Sequence, residues 1–417
     1  MKTLKISMAA LAALGAGSVS AGGFEKATIW SGHYSGIGGA ATSHVSGGES
    51  LFFNPAGLAG GEGGDVSLNF SPTWGQYEGP IGRGASGATL NTKGERSLSP
   101  VFGGVASYKV NPELGVGAGV FVSGGSTVDF GGVDFSAFAP PLFNSYEPSL
   151  STKLSLTELT FGAGYTVMPG LNIGASWRYS MVKATLCAPS FSSPSLIETC
   201  LNDLDDKNAA GFRVGAQYAT DGWGLGFNVR TPIKFSATGK AAVRKSVANA
   251  TPVADPALGD GADATLSSEF PLQVEIGGNW ALSSDLKLFL GYSLSKYSVN
   301  EVLTQKVATS TSETTLDWAD QHTVRLGAEH MMGETALRAG YVYVTPVTNK
   351  KYAQPTFSSP GPGHVINLGA GFGIMENMKL DLSAEYSLAS GDGEAPAKVG
   401  EYKSKGYALH TGLNYKF

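Results

Sequence analysis

Charge is scarce in this chain. Charged residues make up 15% of its 417 residues, against roughly 25% in an average soluble domain. There is no basic stretch, which argues against a nucleic-acid partner. Cysteine is nearly absent, with Cys187 and Cys200 the only two. They offer no metal-ligand spacing, so neither a metal nor a cofactor is expected. Beyond the first twenty or so residues, no window reaches the ~18 uninterrupted apolar residues that a spanning helix needs. No nucleophile elbow occurs. The run "GVGAGV" at 115–120 has no helix after it to hold a phosphate. An enzyme is therefore not expected.

What is present points outward from the cell. Residues 1–21 begin with Lys2 and Lys5, continue apolar, and end Val19-Ser20-Ala21. This reads as a secretory signal peptide cleaved after Ala21. Losing the two lysines takes the net charge from −5 to −7. Glycine is abundant, at 58 residues, about double the usual ~7%, and Tyr and Phe are plentiful. In an exported chain a close cysteine pair suggests a disulfide, here in an exposed loop.

The end of the chain, "KGYALHTGLNYKF", alternates with period two. Tyr407, Leu409, Thr411, Leu413, Tyr415 and Phe417 share one face, and small or polar residues share the other. That is the signature of a half-buried strand. The pattern recurs backwards along the chain and predicts fourteen strands, the first beginning near Gly64. The connections alternate. Short ones such as "NPE" (111–113), "MPG" (168–170) and "MGE" (332–334) are separated by long ones. An even strand count with short turns at one end and long loops at the other describes a transmembrane barrel. The expected fold is all-β, a 14-stranded antiparallel barrel spanning 64–417.

Residues 22–63 precede that wall. They are small and aromatic, with few charges, where a disordered tail would be more polar. Within them "LFFNPAGLA" at 51–59 sets Asn-Pro among apolar residues. The only enclosed space for such a segment is the lumen, which fourteen strands leave wide. The segment is expected to be a plug or hatch, with Asn54 bonding to the lumen and Pro55 fixing a bend without a donor to satisfy.

These features together resemble the FadL-type transporters of long-chain fatty acids and hydrocarbons in Gram-negative outer membranes. The matching residues are Gly23-Phe24, the small-residue run from Ser35 to Ala41, Asn54-Pro55-Ala56, "FPLQVEIGGNWAL", "DWADQHTVRLGAEH", "LRAGYVYVTPV" and the final strand. The resemblance implies capture of a hydrophobic ligand between extracellular loops. It implies an inner pocket that Phe24 reaches into, a hatch that gates passage, and sideways exit at a kink in the third strand. Gly115, Gly117 and Gly119 lie on that strand's inward face and are compatible with a kink. The terminal Phe417 resembles the signal read by the barrel assembly machinery. Other expected partners are outer-membrane lipid and lipopolysaccharide, and the chain is expected to act as a monomer.

The capture surface expected here is the loop holding Phe130, Phe135, Phe138, Leu142 and Phe143. Of the inward arginines, Arg325 and Arg338 are candidates to meet a ligand carboxylate, since a guanidinium fork suits one. The competing expectation is that they pair with wall carboxylates. Neither fatty acids nor aromatic hydrocarbons are singled out. The alternatives to a hydrophobic-molecule transporter are a general diffusion porin and a purely structural or adhesive barrel.

Overall fold

The structure is a computed structural model that describes residues 23, 30–83, 89–133, 147–192, 195–247, 253–254 and 261–417. Phe24, Phe135, Phe138, Leu142 and Phe143 lie outside the described residues, as does the expected signal peptide.

Fourteen strands form the wall: β1 (Gly64–Arg83), β2 (Ser97–Lys109), β3 (Leu114–Gly132), β4 (Ser149–Met168), β5 (Leu171–Ser192), β6 (Ser195–Ala219), β7 (Trp223–Arg230), β8 (Gln273–Ala281), β9 (Leu286–Ser295), β10 (Gln321–Met332), β11 (Thr335–Val344), β12 (Gly363–Met375), β13 (Met378–Gly393) and β14 (Gly400–Lys416). Each pairs antiparallel with the next, and β14 returns to pair with β1 from Asp65↔Lys416 to Glu78↔Lys403. At the seam the Gly64 amide donates to the Phe417 carbonyl at 2.8 Å, and the Phe417 amide donates back to Gly64 at 2.9 Å. The seam matters because hydrocarbon offers nothing to an unpaired backbone group.

Alternation sorts the wall into two faces. Leu68, Phe70, Leu290, Tyr341, Ile366, Leu368, Tyr407 and Leu409 are exposed on the outside, while Ser67, Asn69, Ser293, Arg338, Asn367, Asp381 and His410 are buried within. Outward aromatics gather near the short-turn end, with Tyr108, Tyr165, Trp223, Trp280 and Tyr415 among them. Such girdles mark a lipid-facing wall.

Much of what reads as long loop in the sequence is strand. β5 and β6 continue as a hairpin well past the other wall strands. Cys187 lies opposite Cys200 across it, and the two are joined by a disulfide with Cα atoms 4.1 Å apart. Strands Ile233–Val247, Ala262–Phe270 and Val302–Val307 add onto β6 in turn. Above the lipid both faces of a strand can be polar or can meet other loops, so the clean alternation that marks the wall is lost there.

The strand expected to begin near Gly64 does so, and β1 runs on to Arg83 and pairs there with Thr89–Lys93. The second core of the molecule forms at this loop end, where Leu154, Leu156, Val182, Phe235, Phe270 and Trp318 pack together.

Two outcomes follow. Peptides from unreduced protein should contain Cys187 linked to Cys200, and mass spectrometry finding both as free thiols would refute this. Deleting Phe417 removes both seam hydrogen bonds made by its backbone. It should lower the amount of heat-modifiable barrel recovered from outer membranes without changing transport per folded molecule.

Candidate functional site

Inside the wall, residues Trp30–Gly63 run as a closely packed inner segment. "LFFNPAGLA" folds as a helical turn α1 (Ser50–Phe53) followed by a 3-10 turn over Pro55–Leu58. Asn54 separates them. Its Oδ1 caps the second turn by accepting from the Ala56 amide at 3.2 Å, and Pro55 fills the first position, where no amide is needed. The Asn54 Nδ2 group faces three carbonyls: Thr42 at 2.8 Å, Ala216 at 3.0 Å and Phe227 at 3.3 Å. One fully buried side chain thus ties the segment to itself, to β6 and to β7. The expectation that Asn54 bonds to the lumen wall describes this geometry.

The wall makes room with glycine. A methyl group on Gly174 or Gly115 would collide with the Pro55–Ala56 peptide or the Leu58 carbonyl, and one on Gly117 would lie 2.7 Å from Leu58. Gly226, Gly327, Gly340 and Gly412 abut Thr42, Ile37, Gly38 and Gly32 in the same way. The segment therefore lies flat against the wall, backbone to backbone, around much of its circumference. Gly115 and Gly117 serve this close approach, whereas Gly119 abuts Val105 of the neighbouring strand.

Polar and aromatic contacts complete the docking. Glu49 is buried and accepts from Ser31 Oγ at 2.7 Å, Ser67 Oγ at 2.7 Å and Asn69 Nδ2 at 3.0 Å. Burial pushes its carboxyl up, while these donors favour the ionised form. Burial holds His44 at about 3, hence neutral, where it stacks on Phe289 at 4.4 Å. Trp30 stacks on Phe121 at 5.3 Å and meets Phe52 edge-on at 5.6 Å. The Glu49 network was not foreseen, although an acid set among small residues of the inner segment was a usable signal.

The inward arginines are engaged by the protein. Arg338 donates to Glu329 at 2.7 Å and to Asp381 at 2.6 Å. Arg325 donates to Ser293 Oγ at 2.9 Å. Arg178 holds Glu158 through two nitrogens, and Arg213 bonds to the Leu51 carbonyl and covers the Phe52 ring. A buried guanidinium must be matched by fixed acceptors. The wall and the inner segment supply them, and the pairing of Arg338 with two carboxylates leaves the proposed ligand contact without support from its geometry.

Two features break the closed wall and its loop end. Pairing of β2 with β3 stops at Gly103↔Phe121, although β3 continues to Gly132. Just beyond, the β3–β4 register shifts between Val122 and Gly124, the mark of a bulge that bends a strand. The irregularity thus sits beyond the three glycines expected to carry it. A cavity of about 960 Å³ opens here, lined from both sides of the break by Leu98, Ser99 and Pro100 of β2 and Thr127 and Asp129 of β3.

The second feature is a mouth cavity of about 670 Å³ at the loop end. Ile81, Leu150, Ala188, Pro189, Ala353 and Pro355 are among its lining residues. Contrary to the expectation from the sequence, Phe130 is not presented on an open face. It is 5% exposed and packs with Tyr77, Ile81, Val128 and Val133, behind the mouth. A ring that large gains more from burial than from waiting in water for a ligand.

Residues 12–417 match the family model described as outer membrane protein transport protein (OMPP1/FadL/TodX). No curated protein matches the chain. Among solved structures, a Pseudomonas aeruginosa FadL homologue is similar with a TM-score of 0.76 and 18% identity, covering 95% of this chain and 100% of that one. The P. putida toluene transporter TodX has a TM-score of 0.76 at 14% identity, covering 94% and 99%. The Ralstonia pickettii toluene transporter TbuX has 0.72 at 15%, covering 94% and 99%. At these identities the likeness is one of fold.

Replacing Asn54 with Ala strands carbonyls on β6, β7 and the inner segment, a loss of about 1–3 kcal/mol. Hydrogen exchange should quicken across residues 42–59, with the barrel's heat modifiability unchanged. Equal exchange in both proteins would show that Asn54 does not hold the segment.

Proposed function

The chain belongs to the OMPP1/FadL/TodX family of outer-membrane transport proteins, and we propose that it carries hydrophobic small molecules passively inward, from a mouth between its loops to a sideways exit in its wall. Membership sets the location, a Gram-negative outer membrane, and the family is one of transporters rather than enzymes. The long loops then face the outside and the short turns the periplasm.

The observation that carries the route is the break between β2 and β3 above Gly103↔Phe121. Apolar surface gains roughly 25 cal/mol per Å² on leaving water, so a ligand needs no energy source to pass from water into lipid. It needs a path that avoids buried charge. Straight passage would cross the inner segment and the Arg338–Glu329–Asp381 and Arg178–Glu158 groups, where a hydrocarbon chain has no favourable partner. Exit at the wall break avoids both and delivers the ligand into the bilayer. On this reading residues 22–63 are a hatch that closes the lumen to water and ions. The mouth cavity and the apolar core behind it receive the ligand. Gly23 abuts the Tyr297 ring in that core, which suits an N-terminal arm reaching into an inner pocket. Phe24 follows it directly in sequence.

A general diffusion porin requires an open lumen, and the packing of Trp30–Ala59 against the wall argues against one.

Deleting Ser123, the extra residue of β3 at the register shift, should let β3 pair regularly and narrow the break. Uptake of oleate and toluene should then fall while barrel yield and small-ion conductance stay unchanged. Uptake of both at the wild-type rate would remove the β2–β3 break from the route.

A further inference from the structure

The outside of the wall carries an ordered surface at its loop end. Strand register places Ile366, Tyr386, Tyr407, Trp74 and Leu98 side by side across β12, β13, β14, β1 and β2. By alternation all five point outward, and the Tyr386 and Tyr407 ring centroids lie 5.2 Å apart. Trp74 and Tyr407 stand about ten residues from the seam at Gly64 and Phe417, the length of strand that crosses a bilayer. Aromatic rings at that height mark where hydrocarbon gives way to headgroups.

Two residues nearer the loops, on the same face, the next row reads His364, Leu388, Lys405 and Gln76. Arg96 completes it, since Ser97 lies opposite Gly75. His364, Lys405 and Arg96 are exposed. The turn that bears Arg96 is held against β1: Gln76 Nε2 donates to the Gly94 carbonyl at 2.9 Å, and the Gly94 amide donates to the Tyr77 carbonyl at 2.7 Å. At the other end the Tyr341 hydroxyl lies 2.7 Å from His364 Nδ1. No carboxylate shares the row. Glu78 lies one row up, opposite Lys403, and Lys403 is matched by Glu401 at 2.7 Å. The Glu95 carboxylate, next in sequence to Arg96, turns to Gly131 of β3. Neither Lys405 nor Arg96 has a carboxylate within ion-pair distance among the described residues. The far side of the rim differs. There Lys153 is matched by Asp129 at 3.4 Å and Lys207 by Asp205 at 3.0 Å, and Lys183 lies opposite Asp205.

We propose that the outward face from β12 to β2 at the loop end, centred on Lys405 and Arg96, is a docking surface for the phosphorylated head of lipopolysaccharide, the anionic glycolipid of the outer leaflet. The proposal rests on the outer-membrane location and is independent of what the barrel carries. Two unmatched cations stand at headgroup height, directly above the aromatic row. One strand separates theirs, so their backbones are about 10 Å apart, a span that one large head can bridge. The Arg96 fork suits a phosphate with two parallel bonds, and Lys405 adds a point charge. Gln76 and the Tyr341–His364 pair offer hydrogen bonds to sugar hydroxyls. The aromatic row below would pack against the acyl chains. On the far side the cations already have protein partners, so the glycolipid would be held on one face of the barrel.

The test uses the purified full chain in detergent with EDTA present, so that no divalent cation bridges acids to phosphate. Two probes differ only in the head, diphosphoryl lipid A and the same lipid A stripped of its phosphates. Native mass spectrometry measures bound lipid, and heat modifiability reports the fold. Wild type should bind the phosphorylated probe more tightly. The Arg96→Gln/Lys405→Gln variant should lose about tenfold in affinity for it and leave the stripped probe unchanged, the size expected of two partly screened charges. Arg96→Lys/Lys405→Arg should keep most of that affinity, and Lys153→Gln/Lys207→Gln all of it. Equal affinity for the two probes in wild type overturns the proposal. So does an equal loss in the far-side variant, or phosphatidylglycerol binding to wild type as tightly as lipid A. Each of these results would leave hydrophobic transport standing.

Discussion

Everything in this molecule follows from the need to pair every backbone group that faces lipid. The constraint dictates a closed sheet, and the closed sheet dictates alternation, since each strand has one side toward hydrocarbon and one toward the lumen. Charge is then confined to the inside and the loops, which is why the composition is so poor in it. The β2–β3 break is notable against this background. It is a place where the wall gives up pairing, and the β3–β4 register shifts between Val122 and Gly124 beside it.

The inner segment obeys the same constraint by other means. It has no sheet to join, so its short helical turns and side chains must satisfy its polar groups. Asn54, Gln217 and Arg213 supply donors for its carbonyls, and Glu49 gathers three donors around one carboxylate. Its fit against the wall depends on inward glycines, which remove side chains where the two backbones meet. Glycine abundance is in this respect a record of two surfaces in contact rather than of chain flexibility.

The wall was legible because lipid imposes one rule on every strand that crosses it. The fourteen strands, their facing and the alternation of turn and loop could all be read from period-two patterning. Asn54 and Pro55 were legible as residues packed inside the wall because an Asn-Pro pair among apolar neighbours has few other uses. The loop end was not legible. There the β5–β6 hairpin and the strands added to β6 answer to one another instead of to lipid, so no common period marks them. The bulge in β3 was hidden for a related reason. A register shift depends on two strands at once, and glycines along one of them point equally to a bend and to a docked neighbour. Phe130 looked exposed because its partners Tyr77 and Ile81 lie on a stretch of β1 that reads as loop.

The seam joining β14 to β1 has a consequence for the order in which the parts come together. The inner segment runs directly into Gly63–Gly64, and Phe417 bonds to Gly64 at that same point. The first residues of the wall and the last meet where the segment turns inward. A wall built in chain order would stay open along this line until its end, leaving the segment a lateral way into the lumen beside its own attachment. Enclosure would then be the final event, and the pairing that completes the cylinder would also shut its contents in.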